Sequence, residues 1–374
     1  MGLQIRRIEY RNFRNYQSFL LDGVGESTLF IGPNAVGKTN LIEGIQLTTA
    51  LHSFRNPKTD HLVNNLEEPA WVVTDISDGD RKLEIALRIN EGKKEYFLNG
   101  KKKKAQSIRG ILPSVLFCPD DLNFIKGSQS IKRNQIDILG SQFSSNYYAV
   151  RKDYEKILRQ KNRYLKDVVS HNFLQSINEV LALVGAQLYV LRSRLVKELI
   201  PYIQDYYYEI SNGKEKVTVN YVPSWLKYES EKKQFETNFF KGKEEAFFEL
   251  ATVLENEYER EHKRHLSLFG PHADKIVFFI EGKNAELFAS QGQQRSLVLA
   301  YKMAEVTLLK EKLNQSPVLL LDDVMSELDM YRREQLISLF SRETQTFITS
   351  TNSGYFTDIF LKKAQVVNLG EDHE

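Results

Sequence analysis

From Gly32 to Thr39 the chain reads Gly-Pro-Asn-Ala-Val-Gly-Lys-Thr, two glycines separated by four residues and followed at once by a lysine and a hydroxyl. Each residue type has a physical task if a phosphate chain is to be held there. Gly32 and Gly37 let the backbone curl so that the intervening Pro33, Asn34, Ala35 and Val36 wrap one centre, with the available N–H groups aimed at phosphate oxygens. A helix opening at Lys38 adds the positive end of its dipole. Lys38 would reach the β and γ phosphates, and Thr39 would offer its hydroxyl to a magnesium ion. At ordinary residue frequencies such a pattern arises by chance in about one chain in a hundred of this length. The flanks lower that further, because the apolar run Thr28–Ile31 precedes the loop and a helix-forming stretch, Lys38–Leu51, follows it. ATP and magnesium are the expected cofactors.

A second site with chemical potential lies far downstream. Pro317–Asp323, Pro-Val-Leu-Leu-Leu-Asp-Asp, is a short apolar run ending in two carboxylates. In a phosphate-loop fold this is where the second metal-site acid stands, so Asp322 is expected to hold magnesium through water and Asp323 to polarise an attacking water. An ordinary strand-end turn is the plain alternative. Ser290-Gln291-Gly292-Gln293-Gln294 opens an amphipathic stretch, and on its own it reads as a polar helix N-cap. Ser326-Glu327-Leu328-Asp329 follows the acids. Cys118, in an apolar context, reads as a core residue, and His272, after Gly-Pro, as a hydrogen-bonding turn residue rather than a metal ligand; His52 and His61 have no ligand spacing. No further acidic cluster of the kind a two-metal nuclease requires is evident.

These groups need elements to hold them. Leu3–Tyr10 and Thr28–Ile31 read as strands, and Trp71–Leu98 as an antiparallel meander punctuated by Asp-Gly and Glu-Gly turns. Between Tyr147 and Ile200 there are no prolines and one glycine, so helices should dominate. Leu174, Ile177, Leu181, Val184, Leu188, Leu191 and Leu195 recur at alternating steps of three and four, a seam expected to stop at Pro201. A packed bundle and a coiled-coil arm both fit, with the seam short for the latter. Another helix is expected from Glu231 to Arg264, then a turn and strand over Leu266–Gly282. Helix Gln293–Lys312, strand Pro317–Leu321, helix Met330–Phe340 and strand Gln345–Ser350 alternate as parallel-sheet units do. From Lys38 to Asp322 is 284 positions, more than one βαβ unit needs. The expected architecture is therefore an α/β P-loop ATPase head split in sequence. Residues 1–140 carry the phosphate loop and a β-layer, 141–264 an inserted, mainly helical arm lobe, and 265–374 the returning part of the head.

The 374 residues carry 51 basic and 49 acidic side chains, a net charge of +2, so attraction for a polyanion has to be local. It is concentrated in places. Arg81–Arg109 holds ten basic residues against three acidic ones, a local +7. Arg151–Lys166 adds seven basic and two acidic residues, with Tyr154 and Tyr164 among them. Arg6, Arg7, Arg11 and Arg14 form a third cluster, in which Arg11 or Arg14 could equally reach a nucleotide. Such patches displace counterions from a DNA backbone, while a solvated hairpin tip is the plain alternative for the first. A single cysteine excludes an internal disulfide and a multi-cysteine zinc site and fits a reducing compartment. No run of eighteen apolar residues occurs, and the N-terminal residues lack the apolar core of a signal peptide. The expectation is a soluble, cytoplasmic chain without a membrane partner.

The order GPNAVGKT, SQGQQ, LLLDD, SELD resembles the ABC-type ATPase heads of the chromosome-maintenance and recombination branch, with Walker A, signature, Walker B and D-loop motifs in that sequence. Within that branch the chain is similar to the RecF family through IEYRNFRNY (Ile8–Tyr16), FCPDDLNFIKGS (Phe117–Ser128), LFGPHADK (Leu268–Lys275) and SQGQQRSLVLAYKMAE (Ser290–Glu305). The resemblance implies an ABC-type head with an inserted helical lobe. It implies ATP-dependent homodimerisation in which Ser290, with Gly292 and Gln293, completes the phosphate site of the other subunit. It implies binding to single-stranded, gapped or linear duplex DNA, action with RecO and RecR to help load RecA, support of replication and of the SOS response, and weak ATP hydrolysis used as a switch. Ala35 departs from the glycine common in such loops, and Ala273 replaces an arginine of the family pattern. Lys132-Arg133 stands where paired arginines are usual, and Gln129-Ser130 lacks a proline. Ser350 or Thr351 occupies the place of a switch histidine, which fits slow hydrolysis. A transporter ATPase subunit would share the head motifs but not the split head and basic arm. An ATPase-nuclease would share the head and cut DNA with metal ions, and a passive scaffold would use nucleotide only to stabilise its fold.

Overall fold

Runs of β-branched and aromatic residues between Asn-Gly, Glu-Gly and Asp-Gly pairs form strands, and the stretch poor in glycine and proline forms helices. The computed structural model describes residues 2–167, 171–226, 242–340 and 344–370. The chain begins with β1 (Gln4–Phe13), β2 (Tyr16–Asp22), β3 (Ser27–Ile31), α1 (Lys38–Thr49), β4 (Ala70–Ser77), β5 (Lys82–Asn90), β6 (Lys93–Leu98), β7 (Lys101–Lys103), α2 (Ala105–Ile108) and β8 (Ser114–Phe117). Then come α3 (Gln129–Phe143), α4 (Ser145–Tyr164), α5 (His171–Ile210), β9 (Val217–Val222), α6 (Lys243–Asn256), α7 (Tyr258–Arg264), β10 (Lys275–Ile280), β11 (Lys283–Asn284) and α8 (Ala285–Phe288). It closes with α9 (Gln291–Leu313), β12 (Val318–Asp322), α10 (Met330–Phe340), β13 (Thr346–Ser350), α11 (Asp358–Lys363) and β14 (Gln365–Asn368). Two compact units result, Met1–Leu122 with Lys302–Glu374, and Asn123–Tyr301. These cuts differ from 140 and 264, because α3 and β10 pack with the helical insert.

The first unit contains two sheets. One is antiparallel, in the order β2-β1-β4-β5-β6-β7, and the other is parallel, in the order β14-β3-β13-β12-β8. The hairpins β5–β6 and β6–β7 turn through Glu91-Gly92 and Asn99-Gly100, all four residues at positive φ, as a two-residue turn matched to strand twist requires. Helix α1 packs against β4 and β5 of the first sheet and β8, β12 and β13 of the second, and Leu41, Ile42, Ile45 and Leu47 are at most 1% exposed. The two halves of the sequence are laced by side-chain amides acting as backbone surrogates. Gln345 Oε1 accepts from Ile5 N (2.7 Å) while its Nε2 donates to the carbonyls of Ile5 (2.8 Å) and Gly25 (2.9 Å). Gln315 does the same for Leu3.

The second unit packs α3, α4 and α6 around α5, with the small sheet β11-β10-β9 alongside. Of the expected seam, Leu174, Leu181, Leu188 and Leu195 are buried and Ile177, Val184 and Leu191 half-buried. It does not stop at Pro201, however, and α5 continues to Ile210. A proline inside a helix removes the N–H that residue 197's carbonyl would accept. Here its ring lies on the exposed side while Leu199, Ile203, Tyr207 and Ile210 remain buried on the other, and their burial carries the helix through. By length and composition α5 could also span a membrane. Among its residues, though, Arg192 is buried in a bidentate pair with Asp137 (2.9 Å to each oxygen) and bonds the Pro271 carbonyl (2.6 Å). Of the helix expected over Glu231–Arg264, the part up to 241 lies outside the described residues, and the remainder is two helices broken at Glu257.

Candidate nucleotide-binding site

The loop Gly32–Thr39 connects the buried strand β3 to the buried helix α1, so both of its ends are fixed by the core. Gly37 has φ 112°, and a Cβ there would sit 2.5 Å from the Asn15 side chain and 2.7 Å from the Tyr16 hydroxyl. At Gly32 a Cβ would come within 2.7 Å of the Leu369 carbonyl. Both positions therefore need glycine for space, and Gly37 also for its backbone angle. Asn15 ties β2's approach to the loop, donating to the Val36 carbonyl (3.1 Å) and accepting from Asn40 on α1 (2.7 Å).

Lys38 is 6% exposed, and its ammonium donates to the carbonyls of Gly32 (2.7 Å) and Pro33 (2.8 Å). Burial holds its pKa below the ordinary value, against the opposing pull of Asp323 and Asp322. Thr39 Oγ1 donates to Asp322 Oδ1 (3.1 Å), and Thr349 Oγ1 donates to the same oxygen (2.8 Å) while accepting from Asp323 N (2.9 Å). Burial raises the pKa of Asp322, countered by those two hydroxyls, and raises that of Asp323, countered by Lys38. Asp323 has φ 51°, and its Oδ1 is buried without a hydrogen-bond partner, as is the Tyr16 hydroxyl. Lys38, Thr39, Asp322 and Asp323, read from two distant stretches, thus meet in the first unit. The parallel sheet brings them together by placing β3, β13 and β12 side by side.

Ser350, one of the two residues expected at the switch position, is wholly buried; its carbonyl accepts from Gly32 N (3.3 Å) and its Oγ donates to the Asn352 carbonyl (2.9 Å). Thr351 is exposed. Ser326 Oγ donates to the Asp323 carbonyl (2.8 Å), which fixes the turn after the acids.

Ser290, Gly292 and Gln293 belong to the second unit. Ser290 Oγ accepts from Gln293 N (3.2 Å), and Gln293 Oε1 accepts from Ser290 N (2.8 Å), a reciprocal capping box that opens α9. Gln293 Nε2 also donates to Glu215 (2.7 Å).

One group escaped the sequence reading. Glu43 on α1, wholly buried, accepts two bonds from Arg14 (2.8 Å each) and one from Ser53 (2.5 Å), with Arg55 at 3.8 Å. Arg14 is thereby held by protein groups, with its other arm on the His61 carbonyl. An acid between Ile42 and Ile45 on an apolar helix was the available signal. The arm patch is also smaller than its charge count: Lys161 is buried against Glu261 (2.5 Å), and Arg151 bonds Glu155 (2.9 Å) and Asn134 (2.9 Å). His272 is a turn hydrogen-bonder, between the Tyr154 hydroxyl (2.7 Å) and the Ser267 carbonyl (3.0 Å). Cys118 is buried, with burial pushing its thiol pKa well up.

The sequence pattern of the RecF/RecN/SMC N-terminal domain matches residues 4–370. The chain is 33% identical to the DNA replication and repair protein RecF of Staphylococcus epidermidis over 94% of both chains. It is 34% identical to the protein of that name from Lactobacillus johnsonii over 98% of this chain and 97% of the relative. A solved structure of the recombination mediator protein RecF with ATP superposes with a TM-score of 0.84 at 30% identity, covering 95% of this chain and 94% of the other. An Smc head domain from Pyrococcus furiosus shares the fold at 15% identity and a TM-score of 0.52, over 98% of this chain and 93% of that one.

Proposed function

The chain belongs to the RecF family within the RecF/RecN/SMC N-terminal domain proteins, and from that premise we propose that it is an ATP-switched DNA-binding protein of replication and recombinational repair. The observation that carries the reading is the meeting of Lys38, Thr39, Asp322 and Asp323 around one loop, from stretches 284 positions apart. Gly32, Pro33, Asn34, Ala35, Val36 and Gly37 form the cradle for the ATP phosphates. The hard oxygens of Thr39 and Asp322 suit magnesium, which supplies charge neutralisation on the phosphates. The unpartnered buried Asp323 Oδ1 fits a role in orienting water at that centre. Ser290, Gly292 and Gln293 act in the second copy's phosphate site, so ATP closes a homodimer.

In the cell this protein acts in the cytoplasm, on single-stranded, gapped or linear duplex DNA. There it works with RecO and RecR to help load RecA, and it supports replication and the SOS response. Hydrolysis is slow and resets the clamp, which fits Ser350 or Thr351 standing in place of a switch histidine.

Sedimentation of the full chain with labelled gapped duplex at moderate salt, with and without Mg-ATP, tests this. The expected outcome is a doubling of protein mass with ATP and retention of DNA. A protein that dimerises but ignores DNA even at low salt would instead be an ABC-type ATPase of another system.

A further inference from the structure

The antiparallel sheet of the first unit has two unlike faces. The one toward α1 is a continuous core, with Ile8, Tyr10, Val72, Ile85, Leu87 and Tyr96 at most 6% exposed. A solvent face opposite such a core is ordinarily Ser, Thr, Lys and Glu. Here its middle carries two partly exposed aromatic rings. Trp71 on β4 stands between Arg11 on β1 and Arg88 on β5, and Phe97 on β6 stands between Ala86 on β5 and Lys102 on β7. The rings lie 5.7 Å apart at 38° to each other, and Val73 and Ala86, paired across β4 and β5 on the same face, are themselves buried. The Arg88 guanidinium stacks on Trp71 at 5.8 Å.

Cations surround the rings. The side chains of Arg11 and Lys102 are 58% and 64% exposed, and every lysine of β7 is exposed. Of the acids on this face, Glu9 pairs with Arg7 (2.5 Å) and Arg11 (2.6 Å), Glu95 with Lys102 (2.5 Å) and Arg88 (3.8 Å), and Asp75 with Arg7 (3.3 Å), while Glu84 stands opposite Asp75, off the Trp71–Phe97 pair. Aromatic faces flanked by arginine and lysine on an open sheet are what unpaired nucleobases stack upon, with the cations taking the phosphates. A duplex keeps its π-faces inside and offers only its backbone to such a surface.

We propose that this sheet face is a single-strand DNA platform on which Trp71 and Phe97 stack bases and Arg11, Arg88 and Lys102 hold the strand. The proposal rests on the DNA-binding reading and assigns it a surface and a strand type. Among the charged clusters it selects the hairpin region Arg81–Arg109 together with Arg11, and it leaves the partly buried arm patch out.

The chain has two tryptophans. Trp225 is 6% exposed and donates to Glu249 (3.2 Å), so Trp225→Phe leaves Trp71 as the only indole. Titration of that protein with oligothymidylate should quench its emission. Trp71→Leu and Phe97→Leu keep apolar bulk but remove the rings. Each should weaken single-strand binding about tenfold, while duplex binding and ATP binding stay within about twofold. Unchanged emission at saturating oligothymidylate, or equal losses on single strand and duplex, would overturn the platform while leaving DNA binding in place. Quenching by polyglutamate but not by oligothymidylate would overturn it in favour of an acidic protein partner. Binding to neither DNA form, with or without Mg-ATP, would take down the DNA-binding reading itself.

Discussion

Ala35 adopts φ 67° inside the phosphate loop, a left-handed conformation that costs an L side chain roughly 1–2 kcal/mol. Its neighbour Gly37 escapes that cost, and Asp323, across the site, bears it too at φ 51° while burying an unpartnered carboxylate oxygen. Strain and unsatisfied polarity collected around one loop mark a place whose geometry is kept for a ligand rather than for stability. Ala35→Gly should release the strain, offset in part by glycine's larger freedom in the unfolded chain. The expected net effect is a rise in melting temperature of roughly 1–2 °C, with ATP affinity within about twofold of the parent. A fall in melting temperature would mean that the alanine methyl is packed and the backbone is not the dominant cost.

At the scale of elements, the turn that leads into β10 is anchored to α4 through His272, whose Nε2–H donates to Ser267 O, so that Nδ1 accepts from Tyr154. Burial first, then the cations Arg133, Lys161 and Arg192, lower its pKa from 6.5 to about 4. The unfolded chain therefore takes up this proton near pH 6.5 and the folded chain only near 4. Stability from His272 is complete above the higher value and is lost as pH falls between the two. Asp274, pushed up to about 6 by its burial, works in the opposite sense and loses stability as pH rises, so the comparison must be between variants. His272→Gln should show a smaller drop in melting temperature from pH 7 to pH 5 than the parent; an identical drop would place the titration elsewhere. Elements whose causes are local were legible in the sequence: Thr28–Ile31 and Lys38–Leu51 differ from β3 and α1 by one or two residues, because apolar runs and a glycine loop bound them. Pro201 misled, because a local rule was overridden by burial on the far side of α5. The Gln345 and Gln315 clamps and the Trp71–Arg88 pairing were out of reach, since they depend on strand register and on contacts between distant stretches that no periodicity encodes. The phosphate loop and the acids that meet it were readable as motifs, whereas Glu43 was not, because its partners come from two separate loops, Arg14 from the β1–β2 turn and Ser53 and Arg55 from the loop after α1.

At the scale of the whole molecule, the proposed ATP-closed homodimer makes two demands on the residue that opens α9. Ser290 caps the helix within its own subunit, a contact whose loss costs about 1 kcal/mol, and in the proposed clamp it also meets nucleotide held by the second copy. Loss of dimerisation in a single variant could come from either role, so three variants are needed. Lys38→Met removes the ammonium that faces Asp322 and Asp323 and should abolish both ATP binding and the ATP-dependent doubling of mass in sedimentation. Ser290→Ala loses the cap without adding bulk and should lower the melting temperature by a degree or two while still dimerising at raised ATP concentration. Ser290→Arg loses the same cap and adds a long cation, and it should bind ATP yet remain monomeric. If Ser290→Ala and Ser290→Arg fail alike, fraying of α9 explains both and the clamp has no need of Ser290 at its interface. If both dimerise, the second copy does not use this end of α9, and the ATP-driven change has to be sought within a single chain.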